Sequence, residues 1–67
     1  MISVTVNGST RELPEGCTIA ELITELGLAE AICAAELNER VVPVAERADS
    51  QLNDGDRIEI VTLVGGG

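Results

Sequence analysis

Phe, Tyr and Trp are all missing from this chain, so any core it builds must be filled by Val, Ile, Leu and Ala. With 67 residues it is one small domain, and a domain of that size buries only about 60% of the surface its unfolded form exposes. The core is therefore thin as well as aliphatic. A hydrophobic fraction of 45% still argues for a folded chain rather than a disordered one. One helix laid across one face of a single sheet is the simplest way to close such a core.

The residue pattern supplies those elements. Ile2, Val4 and Val6 alternate with Ser3 and Thr5, which predicts a half-buried strand. Asn7-Gly8 follows, the strongest short hairpin signal because both residues tolerate positive φ. The returning strand is expected over Thr10 to Leu13, closed by Pro14-Glu15-Gly16. Thr18 reads as a helix N-cap, with Glu21 completing a capping box. Ile19, Leu22, Ile23 and Leu26 then share one helical face, Glu21 and Glu25 the opposite one, and Gly27 is the left-handed stop. The segment Leu28 to Cys33 is ambiguous, since the Ala-rich run Ala29 to Ala35 fits either a longer helix or the approach to a strand; a loop is favoured, feeding a strand over Ala34 to Leu37. Asn38-Glu39 turns it into a second short strand at Arg40 to Val42, and Pro43 marks that strand as an edge or its end. An irregular crossing with one helical turn is expected over Val44 to Gln51.

After the turn cluster Asn53-Asp54-Gly55-Asp56, a last strand alternates again. Ile58, Ile60, Thr62 and Val64 face one way, Glu59, Val61 and Leu63 the other. Hairpin, helix, short strands and final strand, in that order, give an α+β fold: a mixed sheet of four to five strands, one main helix across it, and the final strand parallel to the first. That arrangement is the ubiquitin-like β-grasp. The sequence divides into a body over 1–63 and a glycine tail over 64–67.

Composition narrows the function. Without His, the usual general base and the commonest neutral metal ligand are missing. Cys17 and Cys33 form no CxxC pair, so no metal site is expected, and the default reading is two buried, inert thiols. A net charge of −8, four Arg, no Lys and no aromatic platform argue against nucleic acid. The acidity either steers a basic partner or serves solubility alone. No run approaches a membrane span and no export signal opens the chain, so a cytoplasmic protein that is not itself an enzyme is expected.

The sequence ends Val64-Gly65-Gly66-Gly67. Glycines after a strand add nothing to a core and are entropically costly to order. They do make a narrow strip without Cβ atoms, able to thread a cleft and present a carboxylate. Extended, the last four residues reach about 13 Å at ~3.3 Å each. The expectation is that the Gly67 carboxylate is the reactive group, with Val64, Gly65 and Gly66 entering a partner's active site. The alternative is a frayed end. Val61 and Leu63, more apolar than a solvated face needs, are expected to touch a protein partner or else are tolerated surface.

Over nearly its whole length the chain resembles the ThiS family of sulfur carriers in thiamine thiazole biosynthesis. The resemblance rests on Asn7-Gly8, Thr18 to Leu22, Leu37-Asn38, Val41-Val42-Pro43 and, above all, Asp54 through Gly67. It departs where family members commonly carry Arg after Val-Pro, here Val44, and Trp a few residues on, here Glu46 or Arg47. The resemblance implies that an E1-like activating enzyme (ThiF type) adenylates Gly67 with its own ATP and Mg, this chain binding no cofactor. A persulfide from a cysteine desulfurase or other sulfurtransferase then makes a thiocarboxylate, which a thiazole synthase (ThiG type) consumes. Rival implications are the small subunit of molybdopterin synthase, a carrier of another pathway, a β-grasp binding module, or a modifier of target lysines.

Overall fold

Thr18 starts the only α-helix among the described residues, and its capping box is complete. Its Oγ1 accepts from the Glu21 N–H at 3.2 Å, and Glu21 Oε1 accepts from the Thr18 N–H at 2.9 Å. Helix α1 spans Ile19–Glu25 with Leu26 as C-cap. Gly27 follows at φ +78°, the left-handed stop its sequence position predicts. The Gly27 N–H donates to the Thr24 carbonyl and the Leu28 N–H to the Ile23 carbonyl, both at 3.0 Å. Those two bonds are the Schellman pair, and Leu28 packs back on the core. The ambiguous stretch after Gly27 is thus a loop, because the helix is closed on itself before it begins.

The computed structural model of the chain describes residues 1–63. Strand β1 (Ile2–Val6) and β2 (Ser9–Leu13) form the first hairpin, β3 (Cys33–Leu37) and β4 (Arg40–Val41) the second, and β5 (Arg57–Thr62) is last. The sheet order is β2-β1-β5-β3-β4. β5 lies parallel to β1 and antiparallel to β3, as expected for a β-grasp. Three strand boundaries differ from the sequence reading. β2 starts at Ser9, because the two-residue loop pairs Val6 with Ser9 directly. β3 starts at Cys33, which pairs with Thr62. β4 ends at Val41: the Val42 N–H still donates to the Ala35 carbonyl at 2.9 Å, but the chain then turns away through Pro43, and the next β3 carbonyl on that edge, Cys33, accepts from Arg47 instead.

The buried cluster joins Ile19, Leu22 and Ile23 of α1 to Ile2, Val4, Val6, Leu13, Ala35, Ile58 and Ile60 of the sheet. Cys17, Cys33 and Leu52 complete it. The expected irregular crossing is a 3₁₀ helix, Val44–Asp49. It is tied to the start of α1 by the Ile19 N–H donating to the Ser50 carbonyl at 2.9 Å, with the Leu52 N–H on the Cys17 carbonyl at 2.8 Å.

Candidate functional site

The site is built around β5, because that strand leads to the glycines. Its start is held by acidic turn residues. Asp54 Oδ1 accepts from the Ser3 N–H and Asp56 Oδ2 from the Asn53 N–H, both at 2.7 Å. Part of the negative charge is therefore structural. Asn38 adds a second grip: its Oδ1 accepts from the Arg57 N–H at 2.9 Å and its Nδ2 donates to Asp56 Oδ1 at 3.1 Å.

Further along, Ile58 and Ile60 point into the core while Glu59 and Val61 are exposed. Thr62 shares their inward parity yet is exposed, and Ile60 is the last β5 residue in the core cluster. Val61 is paired with Ala34, and the Leu63 N–H donates to the Ile32 carbonyl at 2.8 Å, so the ladder with β3 runs to Leu63. Val61 is 54% and Leu63 57% exposed, and Ile32 beside them 71%. The two residues expected to form a contact face are thus on one open apolar strip. Beside it Glu59 lies directly opposite Glu36, a like-charged cross-strand pair that works against the sheet by itself. Val64, Gly65, Gly66 and Gly67, the sequence's strongest candidates, lie outside the described residues.

Both cysteines are free and buried. The Cys17 thiol is pushed above its usual range, first by burial and then by the carboxylates of Glu21 and Glu25. A thiol held neutral in this way is a poor nucleophile. Among the described residues no group of three or more His, Cys, Asp or Glu side chains is placed to hold a metal ion. No described helix is long and apolar enough to cross a membrane.

Two side chains escaped the sequence reading. Asn7, identified only as a turn residue, gives its carboxamide to the backbone of Ile60, accepting at 2.8 Å and donating at 3.2 Å. Arg47, at one of the positions where the resemblance breaks, donates from Nη2 to the Cys33 carbonyl at 2.7 Å, and its buried Nε has no partner. Neither link is visible in local spacing.

The fold, with a last strand running to three glycines, defines the class: a small ubiquitin-like β-grasp protein. Comparison with known proteins narrows it. The ThiS family model matches residues 4–67. The sulfur carrier protein ThiS of Thermus thermophilus is 41% identical over 64 residues, covering 96% of this chain and 98% of that one. The crystal structure of a thiamine biosynthesis protein (ThiS) from Geobacter metallireducens superposes with a TM-score of 0.83 at 30% identity, covering 98% of this chain and 100% of the other. A thiazole synthase of Paramagnetospirillum magneticum is 36% identical over 66 residues, 98% of this chain, which spans 20% of that protein's length. The chain belongs to the ThiS family.

Proposed function

We propose that this chain is a sulfur carrier of thiamine biosynthesis whose working group is the Gly67 carboxylate. One observation carries the reading: the family match extends to residue 67 and so takes in Gly65-Gly66-Gly67, which follow in sequence an exposed apolar strip at the end of β5. A carboxylate is a poor electrophile, because its charge is shared by two oxygens and oxide does not leave. The E1-like activating enzyme (ThiF type) therefore supplies ATP and Mg. A Gly67 oxygen attacks the α-phosphorus, pyrophosphate departs, and the acyl-adenylate has AMP as an easy leaving group. Sulfur from a persulfide, supplied by a cysteine desulfurase or related sulfurtransferase, displaces AMP. A thiol then cleaves the resulting disulfide and leaves the thiocarboxylate. The chain's own role is to be held: Val61 and Leu63 dock the body, while Val64, Gly65 and Gly66 lie in the partner's cleft.

The consumer of the thiocarboxylate is a thiazole synthase (ThiG type). A relative named thiazole synthase carries a segment like this chain within one polypeptide, which supports the pairing. The reaction runs in the cytoplasm, where Cys17 and Cys33 stay as thiols.

The test is intact mass after incubation with activating enzyme, ATP and a sulfur source. The expected result is one oxygen-to-sulfur exchange at the C-terminus. Appending a few residues after Gly67 should abolish that exchange and leave the thermal midpoint unchanged. A chain that never gains sulfur under conditions that charge Thermus thermophilus ThiS is a binding module instead. Matched loss of loading and stability on extension would make the tail structural.

A further inference from the structure

The edge of β5 that faces β1 is bonded in steps, and a side chain makes the last one. The Thr5 N–H donates to the Asp56 carbonyl and the Asn7 N–H to the Ile58 carbonyl, each at 2.9 Å. There the chain turns away through Asn7 and Gly8, at φ +50° and +85°. The next groups along that edge are the N–H and carbonyl of Ile60, and the Asn7 carboxamide meets both. A carboxamide presents an acceptor and a donor side by side, as a strand residue does. Asn7 therefore lengthens β1 by one residue without any further backbone. Thr62 is next on that edge, and among the described residues no strand pairs with it there. Ile60 is thus the last β5 residue held on both sides, and beyond it β3 alone steers the strand, to Leu63 on Ile32.

We propose that Asn7 is a positioning residue for sulfur loading: its carboxamide fixes the heading of β5 at Ile60, and with it the line along which the reactive end leaves the body. The proposal rests on reading Gly67 as that end. From Ile60 to Leu63 the strand spans about 10 Å, so a tilt of ~10° at Ile60 already moves Leu63 by about 1.7 Å. Misplacing a reacting group by about 1 Å already slows chemistry severely. Val61 and Leu63 turn with the strand, but an apolar contact is non-directional and tolerates a small shift better than the chemistry does. Loss of Asn7 therefore acts on turnover rather than on binding.

Two variants separate the amide from the turn. Asn7→Gly keeps the left-handed backbone and removes both bonds. Asn7→Asp keeps the acceptor and sets a carboxylate oxygen against the Ile60 carbonyl. Thr18→Ala, which removes the helix cap and none of the bonds to β5, is the control for lowered stability. The measurement is ATP–pyrophosphate exchange by a ThiF-type activating enzyme over a range of carrier concentrations, with amide hydrogen exchange at Ile60 alongside. For both Asn7 variants, kcat is expected to fall about tenfold with KM within about twofold, and Ile60 in Asn7→Gly to exchange faster. Partial unfolding does the opposite, raising apparent KM and sparing kcat, and Thr18→Ala should follow that course if it changes at all. Wild-type kcat in both Asn7 variants, or an equal kcat loss in Thr18→Ala, overturns the proposal. If the wild-type chain supports no exchange, the carrier reading itself fails and takes the proposal with it; an unchanged Ile60 exchange rate counts against Asn7 alone.

Discussion

The two hairpins solve the same problem with different second residues. Each has a two-residue loop opened by Asn, at φ +50° for Asn7 and +51° for Asn38. Each Asn then reaches across to β5, one to Ile60 and the other to Asp56 and Arg57. The second positions differ: Gly8 at +85° has no Cβ to clash, whereas Glu39 sits at +71°, where an ordinary side chain costs about 1–2 kcal/mol. The first turn is relaxed and grips the middle of β5; the second is strained and grips its start. A turn residue here does two jobs, and only one of them is the turn.

Removing both jobs at once has the largest effect expected. Asn38→Ala loses two amide bonds and places Ala in the left-handed region, at a combined cost of about 2–3 kcal/mol. Asn38→Gly keeps the backbone and should cost about 1 kcal/mol less. Urea denaturation of the pair measures the difference. Equal losses in Ala and Gly would mean that the left-handed conformation contributes nothing, and the contrast between the turns would lose its basis.

Exchanging the second residues is gentler and changes sign. Glu39→Gly relieves the strain but frees the unfolded chain, so a net gain of about 0.5 kcal/mol is expected. Gly8→Ala imposes the strain on the relaxed turn, with no steric contact to worsen it, and should cost about 1 kcal/mol. Opposite signs in the two thermal or urea midpoints support the comparison; the same sign in both breaks it.

How much of this the sequence disclosed follows from the distance over which each interaction acts. The capping box of Thr18 and Glu21, the stop at Gly27 and both turns are contacts within a few residues, and spacing reveals them. The inward parity of Ile58 and Ile60 and the exposure of Val61 and Leu63 follow from period-two alternation. The bonds from Asn7 to Ile60 span 53 residues, and the Arg47 bond to Cys33 spans 14. Such links depend on which strands become neighbours, which local pattern does not encode. Starting β3 at Cys33 rather than Ala34 has the same origin, because only the partner Thr62 decides it. Of the candidate site, the exposed apolar strip was legible by alternation, while the Asn7 bonds to Ile60 beside it were not.

The smallest effect expected separates the two grips by charge. Asn38 donates to an ionised carboxylate, Asp56, on the exposed surface; Asn7 bonds only neutral backbone groups. Salt should therefore weaken the second grip and spare the first. Absolute stabilities will not reveal this, since a chain of net charge −8 also gains from screening of its own repulsion. A double-mutant cycle, Asn38→Ala with Asp56→Ala, removes that common background. Its coupling should be about 0.5–1 kcal/mol at low salt and roughly half that in about 1 M NaCl. The loss on Asn7→Gly should stay constant between the two salts to within about 0.3 kcal/mol. A salt-independent Asn38–Asp56 coupling would mean that geometry alone, and not the carboxylate's charge, holds the start of β5, leaving strain at Glu39 as the one physical difference between the hairpins.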